Sequence, residues 1–295
     1  MIKRLKCFIL IVSLSLFITG CAKPVKKLVI GMIPYNASSS VTASFEPVKE
    51  YLQKEIGTEI EILVADTYYD LVQAMKNNKA DIGYFGPFSY IAAEKVMKLE
   101  PLVVKSRKNT GIFYKSMIVS RSSSDIKSIE DLKGKKFAFV DQGSTSGFVI
   151  PYSLFRSRGI DPFNYLGSIK YSGSHDLVAL DVLNNVADAG AMNNTTFDKM
   201  VSAGKIEKDA LKILWQSDPI PGSPFVASPK LDRGLKQKFT AAMLSFHEKD
   251  PKAAAKSDSS MEKYVVCDSQ MYNCIRNIAK ILGDAYVIEK FLKEK

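Results

Sequence analysis

Histidine, cysteine and tryptophan are scarce in this chain: its 295 residues hold two, four and one of them. There is no CxxC pair and no HExxH run, and the two histidines, His175 and His247, stand far apart. A zinc site needs three or four such ligands at close spacing, so no metal and no cofactor is expected. Low-complexity tracts and internal repeats are also missing, which sets aside a disordered chain or a solenoid. Positive charge is in excess, formally +10, but the lysines and arginines are scattered. They form no stripe and do not interleave with aromatic residues, so nucleic acid is not an expected partner. The excess reads as a general field that attracts anions and suits an acidic membrane surface.

The chain is 46% hydrophobic and 24% charged, enough apolar material for one large or two medium domains. Its first long apolar run, Phe8 to Ile18, follows the basic residues Lys3, Arg4 and Lys6 and leads into Ile18-Thr19-Gly20-Cys21. That order makes residues 1–20 a secretory signal, too short for a comfortable membrane span. The final four residues resemble a bacterial lipobox, in which the cysteine thiol accepts the acyl chains. Cys21 would then be the mature N-terminus, with 21–27 a short tether holding the protein at the outer face of the cell membrane. Losing the three leader cations leaves +7. Cys7 lies in the leader, so Cys267 and Cys274 remain. Export permits a disulfide between them. A continuous helix over 261–281 would hold them about 10 Å apart along its axis, too far to bridge. Their pairing stays open.

Apolar runs predict strands at Leu28–Ile33, Ile60–Ala65, Ile82–Phe85, Leu102–Val104, Met117–Val119, Phe137–Val140, Ile169–Tyr171, Ala187–Met192 and Ile213–Trp215. Between several of them lie helical periodicities, such as Phe45, Val48, Tyr51, Leu52 and Ile56. This alternation predicts an α/β protein with parallel sheets and crossover helices. Thr67, Gly86-Pro87, Ser144–Ser146, Ser174 and Asn193-Asn194-Thr195 each stand at a strand-to-helix junction and suit helix caps. Such turns gather at the carboxyl edge of a parallel sheet, where ligands bind. Composition breaks at Ser120–Ser128 and at the proline-rich Gln216–Pro229 predict two lobes. The first comprises 28–119 and 215–295, the second 120–214, and two crossings form a hinge. The segment from Asp232 onward reads as mainly helical and returns to the first lobe.

One turn carries more chemistry than the others. Asp141-Gln142-Gly143-Ser144-Thr145-Ser146-Gly147 follows Phe137–Val140 and opens a helix. Free N–H groups of a first helical turn, with three neighbouring hydroxyls, make an oxyanion cradle that suits a phosphate-like group. Ser144 or Ser146 acting only as a helix cap is the simpler alternative.

Four ordered motifs extend this reading: Asp81-Ile82-Gly83-Tyr84-Phe85-Gly86-Pro87, Ser144-Thr145-Ser146-Gly147-Phe148, Gly173-Ser174-His175-Asp176 and Ile220-Pro221-Gly222-Ser223-Pro224. With them, residues 28–250 resemble the periplasmic phosphate, phosphite and phosphonate binding proteins of ABC importers. The resemblance implies a type II periplasmic-binding-protein fold, two lobes each with a central sheet flanked by helices. It also implies a membrane permease as partner. By position Ser144, Thr145 and Ser146 inherit the contacts to the phosphorus oxygens, and His175 faces the same oxygens. Tyr68 donates a hydroxyl, or Tyr69 does if the register shifts by one residue. Phe85 supplies an apolar wall, and Gly86, Asn194, Thr196 and Ser223 complete it. Aminoalkylphosphonate binders of the family carry two carboxylates for the ligand's ammonium, at positions matched here by Thr196 and Ser223. An ammonium without such partners is costly, by several kcal/mol. The expected ligand is therefore phosphite, methylphosphonate or another phosphonate, or phosphate. For phosphate, Asp141 or Asp176 could accept the remaining proton.

Other readings are a ligand-sensing lipoprotein, or a binder of a phosphorylated vitamin on the same fold. The run Gly143–Gly147 is also a near miss to the G-x-S-x-G elbow of serine hydrolases. Its centre is Thr145, however, and only His247 could follow the acid in the required order. No catalysis is expected.

Overall fold

Every apolar run predicted as a strand stands in one of two sheets in the computed structural model, which describes residues 27–283, 285, 286, 291 and 292. The strands in chain order are β1 (Leu28–Met32), β2 (Ile60–Val64), β3 (Ile82–Tyr84), β4 (Glu100–Arg107), β5 (Phe113–Tyr114), β6 (Ser116–Arg121) and β7 (Lys136–Phe139). They continue with β8 (Ser168–Tyr171), β9 (Ala189–Asn193), β10 (Leu211–Gln216), β11 (Ile220–Pro221), β12 (Pro224–Ala227) and β13 (Met261–Val266). One sheet runs β13-β4-β12-β3-β1-β2 and the other β10-β6-β9-β7-β8. β1 pairs in parallel with β2 and β3, and β7 with β8 and β9, each through a crossover helix. The leader, the tether and Cys21 lie outside the described residues. Among the described residues no helix is long and apolar enough to cross a membrane.

The two sheets are the cores of two lobes, as the type II periplasmic-binding-protein fold requires. The lobes meet at a short ribbon in which β5 pairs with β11. Beside it Ser217 N donates to the Ser116 carbonyl and Ser116 N to Ser217 Oγ, at 2.9 and 3.0 Å. The sequence reading starts the second lobe at residue 120 and ends it at 214. Yet all of β6 and β10 pair within the second sheet, so the crossings fall at Lys115 and Ser217. Apolar runs mark the middles of strands and composition breaks mark their loops, so neither marks where the chain changes sheet.

The C-terminal part does return to the first lobe, though not only as helices. Helices Arg233–Lys249 and Pro251–Ser257 lead into β13, which pairs antiparallel with β4 at the sheet edge. A helix then runs from Asn273 to Leu282. The cysteines therefore do not share one helix. Cys267 is buried, Cys274 is exposed, and both are free thiols. Burial pushes the Cys267 thiol up to about 12. Iodoacetamide should modify Cys274 in the native protein and Cys267 only after unfolding, with peptide mass spectrometry as the readout. Equal labelling of both in the native protein would contradict this packing.

Candidate ligand-binding site

The Ser144 turn is wider than an ordinary helical start. The N–H groups of Phe148 and Val149 both reach the Ser144 carbonyl at 3.0 Å, the second across the span of a π-type turn. Ser144 Oγ caps the turn by accepting from Gly147 N at 3.1 Å. The following carbonyls are held on the sheet side. Ser116 Oγ donates to the Ser146 carbonyl at 2.6 Å, and Val140 N to the Gly147 carbonyl at 3.1 Å. In a helical turn N–H groups point opposite to carbonyls, so the first N–H groups face away from the sheet. Only glycine fits at 147, since a Cβ there would lie 2.3 Å from Val140 Cγ2.

Opposite the turn stands the first lobe. Phe88 N, in the first turn of the helix Pro87–Ala93, donates to Thr145 Oγ1 at 2.8 Å. Accepting this bond leaves the threonine proton free to serve as a donor. The Tyr68 hydroxyl faces Ser144, and the Tyr114 hydroxyl faces Ser146 and Thr145. Burial raises both phenols above their ordinary value, so both stay protonated as donors.

His175 starts the helix His175–Leu183 and is buried. Asn193 N donates to its Nδ1 at 3.1 Å, which puts the ring proton on Nε2. Burial alone holds this imidazole down, at about 3, so it is a neutral single donor. Its own N–H donates to the Tyr35 carbonyl across the cleft at 3.1 Å.

These groups enclose a cavity of about 60 Å³ between the lobes. Tyr68, Gly86, Ser144, Thr145, Ser146, His175, Thr196 and Ser223 all line it. Two expected wall residues do not. Phe85 follows the lining Tyr84 and so points to the other face of its strand, where its ring covers Gly83. Asn194 instead holds the hinge, its Oδ1 accepting from Lys115 N at 2.8 Å. Tyr69 packs on Phe291. Neither candidate proton acceptor reaches the lining. Asp176 accepts from Ala37 N at 3.1 and 3.2 Å, and Asp141 accepts from Gly143 N at 2.7 Å. Ser174, expected to cap its helix, donates to Asp176 Oδ1 at 2.5 Å and makes no cap bond with its side chain.

The sequence reading missed the charge. Lys105, Arg107 and Lys199 line the same cavity, and no carboxylate does among the described residues. Lys105 and Arg107 sit two apart on β4 and share a face, a signal present in the spacing once the strand is extended past Val104. Lys199 comes from the helix Asn194–Ser202 in the other lobe and carries no comparable signal.

A family described as ABC transporter, phosphonate, periplasmic substrate-binding protein matches residues 30–272. This chain belongs to that family. The protein is thus an extracytoplasmic substrate-binding subunit that works with a membrane permease, and its relatives are binding proteins, not enzymes. It is 31% identical over 275 residues to the phosphate-import protein PhnD of Mycolicibacterium smegmatis, covering 87% of this chain and 86% of that one. The phosphonates-binding periplasmic protein of Escherichia coli is 26% identical over 219 residues, 72% of this chain and 64% of that one. Among solved structures, the binding protein of an ABC phosphonate transporter from Pseudomonas aeruginosa superposes with a TM-score of 0.81 at 23% identity, covering 86% of each chain. PhnD1 of Prochlorococcus marinus, in complex with methylphosphonate, gives 0.79 at 22% identity over 87% of this chain and 98% of that one. These superpositions establish the fold.

The buried histidine makes stability depend on pH. Above the unfolded value of 6.5 neither state binds a proton there. Between 6.5 and about 3 only the unfolded chain does, so stability present at neutral pH is lost as pH falls through that window. Between pH 7 and 4.5 the melting temperature of wild type should fall more steeply than that of His175→Gln; parallel curves would refute a neutral His175.

Proposed function

We propose that this binding protein captures a small, fully ionised phosphorus oxyanion between its lobes and presents the closed form to its permease. One observation carries the reading: an enclosed interlobe cavity in which the Ser144–Ser146 turn, the Nε2 side of His175 and the Tyr68 and Tyr114 hydroxyls converge, with no carboxylate in its lining among the described residues. Each of these groups donates, and an oxyanion accepts. The missing carboxylate leaves a protonated P–OH without a charged acceptor, which favours phosphite or a phosphonate over protonated phosphate. It also leaves an ammonium unpaired beside Lys105, Arg107 and Lys199, which weighs against an aminoalkyl tail. A single water needs ~10–15 Å³ on the scale that gives this cavity about 60 Å³. That size favours a small oxyanion over a phosphorylated vitamin.

Closure follows from the shared contacts. The oxyanion bonds to groups of both lobes only when they meet, so it binds the closed form better and shifts the hinge equilibrium toward it. Thr145→Ala removes a donor and also the acceptor for Phe88 N. Titration calorimetry with phosphite, methylphosphonate and phosphate should show the preferred ligand weakened more than tenfold in Thr145→Ala. An unchanged affinity would remove the turn from the site.

The leader and the run ending in Cys21 support anchoring by an N-terminal lipid at the cell membrane, and hence delivery near the permease. In cells fed labelled palmitate the wild-type protein should take up label in the membrane fraction, and Cys21→Ala should not. Label retained by the variant would place the anchor elsewhere or remove it.

A further inference from the structure

The positive charge in the cavity exceeds what the protein itself neutralises. Asp258 is a fully buried carboxylate bound by Lys105 Nζ at 3.0 Å and Lys199 Nζ at 2.9 Å, both on Oδ2. Its other oxygen accepts from Ser260 N and Ser260 Oγ at 3.1 and 2.7 Å. Burial acts against its charge, yet Lys105 and Lys199 keep it ionised, well below the ordinary carboxylate range. One carboxylate thus faces two ammonium groups, and Arg107 adds a third cation beside them. Arg107 Nε is buried and has no hydrogen-bond partner among the described residues. Excess cations with an unsatisfied guanidinium N–H are costly to hold in a closed cavity, unless an anion completes them.

The cations and the turn occupy different parts of the lining. Lys199 and Asp258, with Tyr35, Asn36 and Thr196, also line a second cavity that neither Tyr68 nor the Ser144–Ser146 turn reaches. Tyr68 and Thr145 instead flank Gly86, where a Cβ would lie 3.5 and 3.6 Å from them. Lys105 binds Asp258, and Arg107 follows it two residues on along the same strand.

We propose that the ligand is a phosphonate whose short carbon tail ends in a second anion, a carboxylate, held by the Arg107 fork with Lys105 and Lys199 alongside. The planar guanidinium presents paired N–H groups that match a carboxylate. The phosphonate end rests on the Ser144–Ser146 turn, so the inference depends on the oxyanion reading and adds the chemistry of the tail.

Titration of the full-length protein with phosphonoacetate, methylphosphonate, phosphate and 2-aminoethylphosphonate tests it. Phosphonoacetate should bind at least tenfold more tightly than methylphosphonate and phosphate, and 2-aminoethylphosphonate most weakly. Arg107→Gln should erase the advantage of phosphonoacetate while weakening methylphosphonate far less, and Lys199→Met should reduce it in the same sense. Melting temperatures of both variants confirm that they are folded. If methylphosphonate or phosphate binds as tightly as phosphonoacetate, or if the variants weaken all ligands equally, the acidic tail is wrong and the oxyanion site stands. Failure of every phosphorus ligand to bind wild type overturns both.

Discussion

A hydrogen bond across the cleft, from Phe88 N to Thr145 Oγ1, ties together the two features on which the site depends. On one side is a helix start with Pro87 at its first position, which leaves the next N–H groups pointing outward. On the other is a turn whose carbonyls are already held by Ser116 and Val140. Each lobe satisfies its own sheet and leaves unfilled donors at its rim. The threonine hydroxyl can accept from one lobe and donate into the cavity, so the junction of the lobes is also the floor of the site.

Closure is reinforced by polar contacts that the lobes exchange. The helix Ser38–Ile56 has no side-chain cap of its own; Asp176 from the other lobe accepts from Ala37 N and supplies negative charge where the helix dipole favours it. Thr196 Oγ1 donates to Asn36 Oδ1 at 3.1 Å, and Lys199 reaches Asp258 across the same gap. Behind the turn, Phe291 packs against Phe88 and Tyr69, close enough to Gly143 that a Cβ there would lie 2.3 Å from its ring. Of the Phe291 contacts, only the approach to Gly143 crosses between lobes. Asp258 is buried and the other two polar contacts are partly so, so each polar group here finds its partner in the other lobe.

Much of the frame was legible in the chain. Nine apolar runs became strands because short apolar stretches between polar breaks suit a sheet, most of them buried on both faces. Thr67, Ser144 and Asn193 became caps because their short side chains reach the next turn's N–H groups. What escaped had physical causes. β13 reads Met-Glu-Lys-Tyr-Val-Val, part-polar as an edge strand, and carries no clear apolar run to mark it within a segment that reads as mainly helical. The family resemblance puts Phe85 in the wall, but strand alternation gives that face to Tyr84. The basic cluster was invisible as a cluster because Lys105 and Lys199 are far apart in the chain and come from different lobes.

The sequence alone determined the α/β alternation, the positions of the turn Ser144–Gly147 and of His175, and the family, because these rest on local periodicity, capping chemistry and ordered motifs. Tertiary structure decided the rest. Burial set the protonation of His175, closure gave Thr145 and Asp176 their partners, and the meeting of β4 with the helix Asn194–Ser202 assembled the cationic end of the cavity. A pKa, a cavity wall and a charge balance each depend on groups distant in sequence and close in space, and only the folded arrangement brings those groups together.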